Sequence, residues 1–141
     1  KKRYAYPERM ALRDGDPPRA WTIEDLEALV QPVVDFQARH DLPSRRIVAS
    51  EFWVDRRVEG AASYLEDVIG IHDQRGWHWA FYAFRGEGAW TGLDYEVAPD
   101  ARFGAAYWEA AERGEDVEHL KPRGDNPLWR AIRKGLRPTA P

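Results

Sequence analysis

The chain has 141 residues, 43% of them hydrophobic and 32% charged, with a formal net charge of −3. That length suits one modest domain. The charge argues against a nucleic-acid partner, because the doublets Lys1-Lys2, Arg45-Arg46 and Arg56-Arg57 are too short to make a basic stripe. There is no Cys, hence no disulfide framework and no thiolate zinc site, and no apolar run reaches the length of a membrane span. Seven Trp and six Tyr suggest stacking surfaces as well as core.

In chain order, Arg3 to Tyr6 reads as the tail of a strand, closed by Pro7. An irregular loop follows, punctuated by Gly15 and the Pro17-Pro18 pair. Thr22 is a helix N-cap, with Glu24 and Asp25 favourable in the first turn. Ile23, Leu26, Leu29, Val30, Val33 and Val34 fall near helical spacing, so an amphipathic helix is expected over 22–39. Pro32 lacks a donor and is expected to kink or divide that helix.

Residues 45–52 read as a buried strand ending on Glu51. A second helix is expected over 60–74, stopped by Gly76. Trp77 to Phe84 reads as a second strand, apolar or aromatic on both faces: Trp77, Trp79, Phe81 and Ala83 on one, His78, Ala80, Tyr82 and Phe84 on the other. A long loop then carries Trp90, Asp94 and Tyr95. A third helix is expected over 101–113, ended by Gly114. Asn126 as N-cap and Pro127 at the first helical position start a last helix, ended by Gly135.

Strands alternating with helices predict an α/β fold with a parallel sheet, and no repeat or linker divides the chain. Strands apolar on both faces need more neighbours than this sequence supplies. The expectation is therefore one unit, 1–141, forming the carboxyl-terminal part of a larger barrel whose amino-terminal part is missing. A secretion signal would then lie upstream of Lys1.

Parallel barrels carry their working residues at the carboxyl ends of strands. Glu51 sits at such an end, beside Phe52 and Trp53, and an acid among aromatics suits carbohydrate chemistry. The plainer reading of Glu51 is a rim charge in a surface salt bridge.

The stretch IVASEFWVDRRVEGAASYLEDVIGIHDQRGWHWAFYAFRGEGAWTGLDYEV resembles the end of the family 5 glycoside hydrolases, the cellulase and mannanase family with a (β/α)8 barrel. The resemblance implies that Ser50-Glu51-Phe52 is the motif ending the seventh strand, with Glu51 as catalytic nucleophile. It implies an aromatic floor for the sugar at the cleavage point. Tyr82 best matches that place, where the family usually has Trp, and Trp79 is the alternative. The family's His-x-Tyr pair is matched by Tyr4-Ala5-Tyr6, so Tyr6 would hydrogen-bond the nucleophile. Asp125-Asn126-Pro127-Leu128 resembles the family's last helix.

The implied activity is retaining hydrolysis of β-linked glycans by two carboxyl groups about 5–5.5 Å apart. Tyr6 or Arg85 would keep the nucleophile ionised. The family's acid/base is a Glu after an Asn, and this chain contains no Asn-Glu dipeptide. The acid/base is thus expected upstream, and the chain alone is expected to be inactive. A non-catalytic sugar-binding half-barrel, using Trp53, Tyr82 and Trp90 as platforms, and one chain of a split barrel are the alternatives.

The partner expected is an oligo- or polysaccharide. No cofactor is expected, and His40 and His119 lie in loops without a partner at metal spacing, so no metal is assigned. His72 falls on a helical stripe as a core residue, and packing is also the favoured role of His78. Asp94 and Glu96 belong to a solvated loop or bind sugar hydroxyls. Arg56 and Arg57 form a charged turn from which Arg56 could reach the cleft.

Overall fold

The structure is a computed structural model that describes residues 5–11, 15–83 and 92–136. The described residues contain α1 (Ile23–Arg39), β1 (Val48–Ala49), α2 (Ala61–Gln74), β2 (His78–Trp79), α3 (Ala105–Glu112) and α4 (Pro127–Gly135), with 3-10 turns at Ser44–Arg46 and Glu118–Leu120. β1 and β2 pair in parallel, Val48 opposite His78 and Ala49 opposite Trp79. Among the described residues this is a mixed α/β arrangement of four helices and a two-stranded parallel sheet.

α1 begins as its sequence predicts. The Asp25 carboxylate accepts the Thr22 N–H (2.9 Å) and is braced by Arg19 (2.7 Å). The Arg19 hydrogen bond, followed by that from Thr22, holds the Asp25 carboxyl down at about 2. Pro32 does not divide the helix, which runs unbroken from Ile23 to Arg39. Pro32 removes one N–H that would have served Ala28, and both residues are exposed, so the freed carbonyl is left toward water.

Both strands are shorter than expected. The stretch 45–52 keeps only Val48–Ala49 as regular strand, and 77–84 keeps only His78–Trp79. Each has one strand neighbour among the described residues, so only a short ladder forms. Of the expected first strand, Arg3 and Tyr4 lie outside the described residues, and Ala5 makes isolated bridges to Arg9 and to Glu59. α3 covers 105–112 rather than 101–113, starting after Gly104 and closing at Gly114 in the left-handed region (φ 71°).

The main core lies between the sheet, α2 and α4. Leu65 and Ile69 of α2 meet Leu128, Ala131 and Ile132 of α4, with Val54 and Tyr95 completing the cluster. Phe52, Trp79 and Phe81 pack onto it from the sheet side. Gly135 permits the close approach, because a Cβ there would lie 2.7 Å from Ile69. The buried Asn126 caps α4 by accepting the Leu128 N–H (2.9 Å) and donating to the Val97 carbonyl (2.8 Å). A smaller cluster of Tyr6, Trp21, Leu26 and Ile71 seats α1 on α2. Gly60 makes this join possible: it has φ 75°, and a Cβ there would lie 1.9 Å from the Tyr6 carbonyl oxygen.

The sheet is covered on one face only. Trp77, Trp79 and Phe81 turn toward the helices, while Val48, Ser50, His78, Ala80 and Tyr82 are exposed. The two-sided burial expected of the second strand is therefore not what these residues show. His78 in particular lies in the open rather than packed. Parallel strands are ordinarily buried on both faces, so this face is unusual for the pairing it belongs to.

Candidate active site

Glu51 is exposed at a break in the ladder. The Ala80 N–H donates to the Ala49 carbonyl (2.9 Å), and the next bond runs from the Tyr82 N–H to the Phe52 carbonyl (3.2 Å). The second chain advances from 80 to 82 while the first advances from 49 to 52. One extra residue is thus inserted at Ser50-Glu51, a bulge. In strict alternation Glu51 would share the helix-facing side of Ala49. The insertion leaves Ser50 and Glu51 both exposed and returns Phe52 to the helix side, where its ring meets His72 (5.6 Å) and Trp79 (5.9 Å). Among the described residues Glu51 makes no hydrogen bond or ion pair, so the salt-bridge reading finds no partner there.

Two aromatics are exposed around this acid. Tyr82 is 55% exposed and Trp53 43%. The Tyr82–Phe52 backbone bond sets Tyr82 next to the residue that follows Glu51. Trp79, the alternative platform, takes another role. It is half-buried on the helix side, and its indole N–H donates to Asp73 (2.9 Å). Counted in alternation onward from Trp79, residue 82 falls on the opposite side.

Tyr6 does not make the expected bond to Glu51. It is buried in the smaller core cluster, and its hydroxyl donates to Asp67 of α2 (2.6 Å). Burial and the Asp67 carboxylate both raise the phenol's pKa. The nearby edge-on Tyr64 ring (5.5 Å) completes its packing. Arg85 and Trp90 lie outside the described residues.

The segment after Glu51 is held by residues that the sequence reading did not single out for that role. Tyr95 is 1% exposed and binds both backbone groups of Val54, accepting its N–H (3.1 Å) and donating to its carbonyl. Burial pushes the Tyr95 phenol up to about 12. Its ring stacks on Phe81 at 5.3 Å, which joins the clamp to the end of β2. Arg56 is buried and donates to the carbonyls of Ala98 (3.0 Å) and Pro99 (2.8 Å), tying the two loops together. Asp94 and Glu96 are engaged in ion pairs, and Asp94 is buried instead of lying in a solvated loop. Asp94 is 1% exposed and pairs with the buried Lys121 (2.8 Å), while Glu96 pairs with Arg123 (2.7 Å). The one available signal was compositional: Ser50-Glu51 puts two polar residues together inside an apolar run, where a regular strand would alternate.

His72 is a core residue, as its helical spacing predicts. It is buried and stacked on Trp77 (5.9 Å), and burial lowers its pKa. Among the described residues no group of three or more His, Cys, Asp or Glu could hold a metal ion. Among them, too, no helix is long and apolar enough to cross a membrane. No family model, no curated protein and no solved structure matches the chain.

Proposed function

We propose that these residues form the carboxyl-terminal part of a (β/α)8 barrel of a retaining glycoside hydrolase acting on β-linked glycans, with Glu51 as nucleophile and Tyr82 as the sugar platform. The observation that carries this reading is the bulge at Ser50-Glu51. It leaves Glu51 exposed just past the carboxyl end of β1, and the exposed Tyr82 is bonded through its backbone to the next residue, Phe52. Bulges commonly re-aim a side chain next to an active site. The one-sided burial of the parallel pair supports the barrel, because further strands would cover that face.

In the proposed reaction, a Glu51 carboxylate oxygen attacks the anomeric carbon and the glycosidic bond breaks. A second carboxylic acid, supplied by polypeptide outside these residues, gives its proton to the leaving oxygen. That group then takes a proton from water, which attacks the same carbon and releases Glu51. Tyr82 stacks under the ring and Trp53 borders the cleft. The sugar-binding reading without catalysis rests on the same two exposed aromatics and dispenses with Glu51.

Kinetics of the complete barrel separate the two. Glu51→Gln keeps size and an acceptor oxygen but cannot form the glycosyl-enzyme, so kcat is expected to fall by about 10³-fold or more while binding moves little. Tyr82→Ala is expected to weaken both binding and turnover by about 1–3 kcal/mol, by analogy with base stacking on aromatic rings. Near-normal turnover in Glu51→Gln would end the nucleophile assignment.

A further inference from the structure

A pocket lies between two segments that follow the strands in the chain. One wall is Arg56 to Glu59, which follows β1, and the other is Pro99 to Phe103, which follows β2. The first of these walls follows Glu51 along the chain. The cavity has a volume of about 760 Å³, ample for a disaccharide. The Phe103 and Trp108 rings, 6.0 Å apart, line its apolar side, and Trp108 is 44% exposed.

The charges in this pocket are unequally committed. Arg57 is paired with Asp55. Arg56 is held by loop carbonyls, lies over the Phe103 ring at 6.0 Å and has Asp100 as a nearby opposite charge. Arg102 also lines the pocket, is exposed, and makes no hydrogen bond or ion pair among the described residues. A guanidinium with a free fork binds a carboxylate through two parallel N–H donors. An aromatic face beside it offers a stacking surface for a sugar ring.

We propose that this pocket is a secondary binding site for an acidic glycan, with Trp108 under the sugar ring and Arg102 on the carboxylate of a uronic acid. The class of ligand rests on the glycan reading given above, whereas the pocket and its uncommitted guanidinium do not depend on Glu51. The Arg102 fork supplies the selectivity for charge, and Trp108 supplies binding that neutral and acidic sugars share.

Isothermal titration of the 141-residue chain with cellobiouronic acid and with cellobiose tests this. The two probes share one scaffold and differ by the carboxylate. The acid is expected to bind about ten-fold more tightly, the scale of one charge-assisted contact. Arg102→Gln is expected to close that gap and Trp108→Ala to weaken both sugars. Both pocket residues are exposed, and circular dichroism confirms that the variants remain folded. Equal binding of the two sugars, no binding of either, or a gap that survives Arg102→Gln would overturn the site. Binding lost in Glu51→Gln would put the sugar at Glu51 and overturn the pocket while leaving the nucleophile reading intact. Full turnover of the complete barrel carrying Glu51→Gln would instead end the nucleophile reading and leave the pocket standing.

Discussion

The Tyr95 hydroxyl satisfies both backbone groups of Val54, three residues past Glu51, and its ring stacks on Phe81 two residues beyond Trp79. Past the Phe52 carbonyl, which still accepts from the Tyr82 N–H, the ladder has no further rung among the described residues. Tyr95 takes the place of such a rung at Val54. Tyr95→Phe keeps the ring and removes the hydroxyl, leaving a buried N–H and C=O unpaired. Stability is expected to fall by about 2–4 kcal/mol, measured by denaturant unfolding. An unchanged midpoint would mean that Val54 finds water instead.

Tyr6 and Asp67 give a different expectation. Their bond lies between core and α2, away from the open sheet face. Tyr6→Phe should cost about 1 kcal/mol of stability. In the complete barrel it should leave the acidic limb of the pH–rate profile in place, because that limb reports the nucleophile. A displaced limb would mean that Tyr6 touches Glu51 after all.

Gly60 is the most demanding backbone position. Alanine there would need the left-handed region and would place its Cβ 1.9 Å from the Tyr6 carbonyl oxygen. Gly60→Ala is expected to destabilise the fold by about 3 kcal/mol or more, since backbone must move on both sides of the contact. A thermal melt decides it. A melt equal to that of the unsubstituted chain would rule out this packing of residues 5–7 on α2.

His72 makes stability depend on pH. Burial holds its folded pKa below the unfolded value of about 6.5, so the unfolded chain binds the proton first as pH falls. The contribution is complete above about pH 6.5 and is lost as pH drops through the lower folded value. Unfolding midpoints at pH 8 and pH 5 should therefore differ more for the unsubstituted chain than for His72→Leu. Equal differences would show that His72 is not the titrating group.

The helices were legible because each carries a local signal. Thr22, Gly76, Gly114 and the Asn126-Pro127 pair mark ends that the structure reproduces to within a few residues. The strands were legible as apolar runs but not in extent, since their length depends on neighbours that a local pattern does not reveal. That Glu51 is exposed depends on the bulge, a feature of the pairing and not of the local pattern. Tyr6 misled because a Tyr before Pro says nothing about which acid its hydroxyl meets; Asp67 lies a long way along the chain. Arg56 and Tyr95 escaped for the same reason, as both act on backbone groups about forty residues away.

The central claim is that Glu51 forms a covalent bond with the sugar. Incubating the complete barrel with a dinitrophenyl 2-deoxy-2-fluoro-β-cellobioside tests it most directly. The leaving group departs with little help from an acid, and the fluorine slows release, so the glycosyl-enzyme accumulates. Peptide mass spectrometry is expected to find the added sugar on the peptide that contains Ser50-Glu51-Phe52, and to find none in Glu51→Gln. Label on another carboxylate, or the same labelling in Glu51→Gln, would contradict the account.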